Sequence, residues 1–227
     1  MRDPDNTLLA RGPATRLTAE MLRDNALATS GLLVTKLGGP SVKPYQPEGI
    51  WEEKSSGWKY DPDKGDALYR RSMYTYWKRT VPPPSMMVFD AAERNNCTVR
   101  RQSTSTPLQP LVLLNDPQFI ESARKLAERA MKPGTPNPAP GTAPADARIQ
   151  FVFRRLTSRA PSAKELSILR RLYDEQLASF RADEPATVAL LKVGEAKADP
   201  ALDQFELAAT TTLASAILNF DEAIQKR

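Results

Sequence analysis

Twenty prolines against ten glycines in 227 residues constrain this chain more than any other feature. Proline fixes its own φ and removes a backbone donor, so long stretches here can be neither helix interior nor sheet interior. The gaps between the proline clusters show where regular structure fits. From Thr18 to Leu33, Met21, Leu22, Ala26, Thr29 and Leu33 recur at three- and four-residue steps, which predicts a helix with one buried face. Thr18 serves as its N-cap, and Gly38 with Gly39 closes the region. Between Gly39 and Lys64, Pro40, Pro44, Pro47 and Pro62 forbid pairing, yet Tyr45, Ile50, Trp51, Trp58 and Tyr60 are too apolar for a free linker. The segment reads as an ordered loop pinned by its aromatics.

Tyr69–Lys78 alternates like a strand through Ser72, Tyr74 and Tyr76, although Met73, Tyr76 and Trp77 also fit a helical stripe; the extended reading is favoured. Pro82–Pro84 predict a polyproline turn, and Met86–Pro110 reads as irregular. Asp116 followed by Pro117 then predicts a helix carrying Phe119, Ile120, Ala123, Leu126, Ala127 and Ala130, ending near Lys132. Pro133 to Pro144 form an exposed linker. Beyond it come a helix with Ile149, Val152, Phe153 and Leu156 and one opened by the capping box Ser162–Glu165. A short helix over Thr187–Val193 and a final one starting at Asp199–Pro200 complete the series. The fold class expected is mainly α: an N-terminal helix, a Pro-rich irregular middle layer with room for one short strand pair, and a C-terminal antiparallel helical bundle. The divisions expected are 1–132, a 133–145 linker and a 146–227 bundle packing on the first part.

Composition excludes whole classes of chemistry. With no histidine, Ser-His-Asp and Cys-His nucleophile systems, histidine metal ligands and the haem attachment signature C-x-x-C-H are all closed to this chain. A single Cys97 forbids an internal disulfide, and reads as a small buried apolar residue rather than a nucleophile. No window approaches a membrane span, and Arg2, Asp3, Pro4, Asp5 and Asn6 do not read as a targeting signal. A formal charge of +5 is a mild excess, and no nucleic-acid recognition motif is present.

The loop strings carry a resemblance. Gly38-Gly-Pro-Ser-Val-Lys-Pro-Tyr-Gln-Pro-Glu-Gly-Ile-Trp51, Tyr69-Arg-Arg-Ser-Met-Tyr-Thr-Tyr-Trp-Lys-Arg79, Pro82-Pro-Pro-Ser-Met-Met87, Phe89-Asp-Ala91, Cys97-Thr-Val-Arg-Arg101, Thr106-Pro-Leu-Gln109 and Leu114-Asn-Asp-Pro117, with the closing Leu218-Asn-Phe-Asp-Glu222, resemble an uncharacterised planctomycete-specific domain. The resemblance implies the C-terminal part of a large cytochrome-c-domain protein, periplasmic or extracytoplasmic, whose upstream stretch of the same domain and whose haem- or carbohydrate-related domains would be its partners. Against that pattern the chain looks N-terminally truncated, and no cofactor is expected within it. Pro110 stands where relatives carry alanine, which predicts an early end to the preceding segment.

Three constellations are candidates for function. Arg70, Arg71, Tyr74, Tyr76, Trp77, Lys78 and Arg79, followed by Arg94, Arg100 and Arg101, combine guanidinium groups with aromatic faces, the pairing that holds an acidic polysaccharide. The competing and favoured reading is that these arginines donate to loop carbonyls and hold down irregular backbone. Glu48, Glu52 and Glu53 beside Tyr45 and Trp51, with Asp90 and Glu93 elsewhere, could supply the carboxylate pair of a glycan hydrolase completed by an upstream stretch. Thr104, Ser105, Thr106 and Gln109 read as caps and turns. The functional expectation is a non-catalytic binding module for an anionic polysaccharide, with part of a hydrolase as the alternative.

Overall fold

The structure is a computed structural model that describes residues 3, 7–10, 12, 15–54, 59–132 and 142–226. Apart from Asp3, the N-terminal residues read for a targeting signal lie outside these, as do Trp58 and most of the linker prolines. The fold is mainly helical, as expected. Helix α1 (Ala19–Ser30) starts where Thr18 accepts from the Met21 amide and stops at Gly31, whose φ of 85° is left-handed. Leu32 and Leu33, expected inside the helix, instead fold back on the Leu27 carbonyl.

The middle layer is more helical than the prolines suggest. Helices α2 (Ile50–Lys54), α3 (Pro84–Val88) and α4 (Leu108–Asn115) interrupt it, with 3-10 turns at Gly65–Ala67 and Ser72–Tyr74. The polyproline turn gives way because Pro84 takes the first position of α3. Pro110 likewise lies in the first turn of α4, where amides have no intrahelical acceptor, so it does not shorten the segment. Tyr69–Lys78 is only partly extended: it makes isolated bridges from Arg70 to Val34 and from Thr75 to Val42, on either side of the 3-10 turn. The one ladder among the described residues pairs Thr15–Arg16 with Gln225–Lys226, away from the middle layer where a strand pair was expected.

The remaining helices form the bundle. Helix α5 (Pro117–Met131) is capped by Asp116, α6 spans Pro144–Thr157, and α7 (Ala163–Ala182) carries the complete Ser162–Glu165 capping box. Helix α8 (Glu184–Leu191) begins earlier than expected because Asp183 caps it. Helix α9 (Gln204–Leu218) begins later, because Asp203 rather than Asp199 accepts from the first turn; a short α10 (Asp221–Ile224) follows. Phe119 and Leu113 pack with Leu22, Ala26, Met86 and Phe89 beneath the middle layer. Ala123, Leu126 and Ala130 of the same α5 join Ile149, Val152, Phe153, Leu169, Leu213 and Ile217 in the bundle core. Each fully buried Leu, Ile or Phe contributes roughly 1.5–3 kcal/mol. Helix α5 is therefore the spine on which loop layer and bundle meet.

Candidate functional site

Helix α5 also carries a polar cluster that the sequence reading did not find. Glu121, Arg124 and Glu128, spaced three and four residues apart, are all essentially fully buried. Glu121 accepts from the Tyr69 hydroxyl at 2.8 Å, the Tyr45 hydroxyl at 3.1 Å and the Ala196 amide at 2.6 Å. Arg124 bonds Glu128 at 3.1 Å and donates to the carbonyls of Val193, at 3.1 Å, and Ala196. Tyr45 completes the knot by accepting from the Glu195 amide at 2.7 Å. Burial, reinforced by the Glu121 charge, pushes the Tyr45 phenol well above its ordinary range; burial and its hydrogen bond to Glu121 do the same for Tyr69. Both phenols therefore stay protonated and donating. The 193–196 turn approaches so closely that a Cβ on Gly194 would lie 2.4 Å from the Glu121 carboxyl carbon.

That knot fixes two walls of a cleft of about 920 Å³ between residues 45–52 and 59–64 on one side and the 193–195 turn on the other. Glu48, Glu52, Asp61, Asp63 and Glu195 line it against Lys59 and Lys64, so its lining is acidic in a chain whose total is +5. Asp63 accepts from the Lys43 amide at 2.7 Å and Glu195 from the Gly65 amide at 2.9 Å, which hold the wall in place. Glu48 and Glu52 stand exposed on the lip. Tyr60 donates to the Pro44 carbonyl at 2.6 Å.

The sequence-predicted residues are distributed among several places. Tyr45 and Glu52 meet in this cleft. Trp51 does not form an open platform: it is buried, donates to Gln46 at 2.9 Å, and packs against Tyr60 at 5.0 Å and Tyr76 at 6.0 Å, with the Lys78 ammonium 4.4 Å above its ring. Arg70 faces inward, donating to the carbonyls of Pro40 at 3.0 Å, Lys36 at 3.2 Å and Gly38, while its guanidinium lies 3.9 Å over Tyr74. The Tyr74 hydroxyl accepts from the Gly38 amide at 2.8 Å. Arg71 pairs with Asp24 at 3.5 Å, and Arg79 is exposed. Trp77 donates to the Glu93 carbonyl at 3.2 Å and is covered by Arg94 at 4.5 Å.

Asp90, at a left-handed φ of 57°, accepts from Arg16 and from the Thr104 amide at 2.9 Å. Gln109 bonds Val88 and Thr104 carbonyls at 3.0 and 3.1 Å beside it, so this group ties the loop down. Arg101 grips Glu20 with two bonds of 2.7 and 3.0 Å. Arg100 lines a polar pocket of about 410 Å³ with Arg94, Arg101 and Glu93. Cys97 is exposed rather than buried, because the turns around it carry no apolar residue into the core.

A second buried cation went unnoticed in the sequence. Arg23 of α1 donates to the Leu68 and Arg70 carbonyls, both at 2.6 Å, to Ser72 at 3.2 Å and to Gln118. Burial lowers its pKa to about 10, which leaves it charged at neutral pH. Arg23 and Arg70 therefore act as hubs that saturate carbonyls of proline-interrupted backbone. Among the described residues, no group of three or more acidic or thiol side chains is arranged to hold a metal ion, and no helix is long and apolar enough to cross a membrane.

The chain is thus a helical domain whose loop layer is pinned by buried arginines beside an acidic cleft. The family described as PSD1, a protein of unknown function (DUF1553), matches residues 1–173, and the chain belongs to it. No curated protein and no solved structure matches the chain.

Proposed function

We propose that the chain is a non-catalytic binding module of a larger extracytoplasmic protein, the planctomycete cytochrome-c-associated architecture that its sequence resembles, and that its cleft takes a cationic ligand. The observation that carries this is the sign of the cleft: five carboxylates against two lysines line about 920 Å³ in a chain that is positive overall. A concave surface lined by one sign of charge focuses its field and raises the local concentration of the opposite charge. Tyr45 and the 193–196 turn are already fixed by Glu121 and Arg124, so binding there orders little backbone.

An anionic polysaccharide at residues 70–79 has less support, because both terminal guanidinium nitrogens of Arg70 are bonded to loop carbonyls and Arg71 is paired with Asp24. What remains for that second reading is the pocket of Arg94, Arg100 and Arg101, beside the Trp77 that Arg94 covers. The hydrolase alternative would use the acidic cleft, with Glu52 as one carboxylate and the rest from an upstream stretch.

Calorimetry with oligolysine and with heparin separates these readings. Oligolysine should bind with an affinity that falls as salt rises, weakened several-fold in Glu48→Gln/Glu52→Gln, since rim charges contribute roughly 0.2–1 kcal/mol each. Heparin binding abolished by Arg100→Ala, with no oligolysine binding, would move the ligand to the arginine pocket and overturn the proposal. Glycan turnover lost in Glu52→Gln would replace it with the hydrolase.

A further inference from the structure

The acidic cleft does not end at Tyr45. Tyr45, Gln46, Pro47 and Pro117 are also the near wall of a second groove of about 490 Å³. Its far wall is α4, which presents Leu108 and Leu111, 58% and 53% exposed, one turn apart on the same face. The opposite face of α4 buries Gln109 and Leu113, so the helix cannot rotate these leucines inward without exposing its own core contacts. Two large aliphatic side chains left in solvent beside a preformed groove mark an interaction surface.

The two cavities differ in chemistry and share a wall. A ligand that is only charged would fill the cleft alone, and one that is only apolar would fill the groove alone. We infer that the joined trough docks a polypeptide segment of a partner in which lysine or arginine side chains stand beside leucine-sized apolar ones. The basic side chains enter among Glu48 and Glu52, and the apolar ones cover Leu108 and Leu111. This rests on the cleft being the cation site, and adds the partner's class.

Two fluorescein-labelled peptides of equal charge and length, one alternating lysine with leucine and one alternating lysine with serine, test it by anisotropy on the full chain. The leucine peptide should bind about tenfold tighter, the effect of burying about one side chain. Leu108→Ser/Leu111→Ser should erase that advantage and leave the serine peptide unchanged; both leucines are exposed, so the fold should tolerate the change. Glu48→Gln/Glu52→Gln should weaken both peptides. Equal binding of the two peptides, insensitive to the leucine variant, would overturn the inference while the cleft reading stands. Binding of neither would overturn the cleft reading, and the inference with it. A dimer in sedimentation velocity that dissociates in Leu108→Ser/Leu111→Ser would assign the groove to a second copy and likewise overturn it.

Discussion

Replacing Gly194 by alanine should be far more damaging than a single added methyl suggests. Its φ is +85°, and a Cβ there would lie 2.4 Å from the Glu121 carboxyl carbon, 2.6 Å from Oε1 and 2.8 Å from its Cβ. Neither side can give cheaply. Glu121 is held by two tyrosine hydroxyls, and the turn is held by Arg124 through the Val193 and Ala196 carbonyls. A left-handed alanine costs roughly 1–2 kcal/mol. Displacing the turn also breaks or stretches the Ala196-to-Glu121 bond and one bond to Arg124, and hydrogen bonds to charged groups contribute roughly 1.5–3 kcal/mol each. With both bonds lost the expected loss is therefore about 4–8 kcal/mol, a large share of a typical 5–15 kcal/mol domain stability. Gly38→Ala supplies the control: φ is +71° and nothing lies within 4 Å of the added carbon, so only the backbone cost of about 1–2 kcal/mol applies. Urea denaturation with unchanged m-values reads both. If Gly194→Ala loses no more than Gly38→Ala, the turn does not rest on Glu121, and the pinned cleft wall is wrong.

Three further expectations follow from other parts of the fold. Arg70→Lys, which keeps the charge but loses the fork that spans three carbonyls, should destabilise by about 2–4 kcal/mol, whereas exposed Arg79→Ala should stay within about 0.5 kcal/mol in the same urea assay. The Arg159 guanidinium and the Ser162 amide hold the Glu165 carboxyl at about 2 instead of 4.5. Its stabilisation is thus complete above 4.5 and lost as pH falls through about 2, so Glu165→Gln should melt below wild type at pH 7, with the gap closing on acidification in thermal scans. A chain ended after Tyr173, where the family match stops inside α7, should show no cooperative melt by circular dichroism, because it lacks Leu207, Leu213 and Ile217 from the core and each such residue contributes roughly 1.5–3 kcal/mol.

Helix starts with a local chemical signature were legible from sequence: Thr18, Asp116–Pro117 and the Ser162–Glu165 box each cap the helix they announce. Prolines misled where they occupy a first turn rather than break a helix, which hid α3 and α4. The favoured structural reading of the arginines holds for Arg70, whose partners are carbonyls remote in sequence. Glu121, Arg124 and Glu128 were not legible, because charges three and four residues apart ordinarily mark a solvated helix face. They are buried only because α5 is covered by the 193–196 turn on that side, a contact made across some seventy intervening residues. Asp61, Asp63 and Glu195 joined Glu52 in one cleft for the same reason: tertiary closure, not local pattern, gathers them.

Titration of isotope-labelled full chain with oligolysine, followed amide by amide in NMR spectra at low salt, locates the cation directly. A cation-binding cleft should give perturbations concentrated in 45–52, 59–64 and 193–195, reversed by added salt, with the 91–102 loop unmoved. Shifts confined to the arginine-rich loop, or none at all, would contradict it.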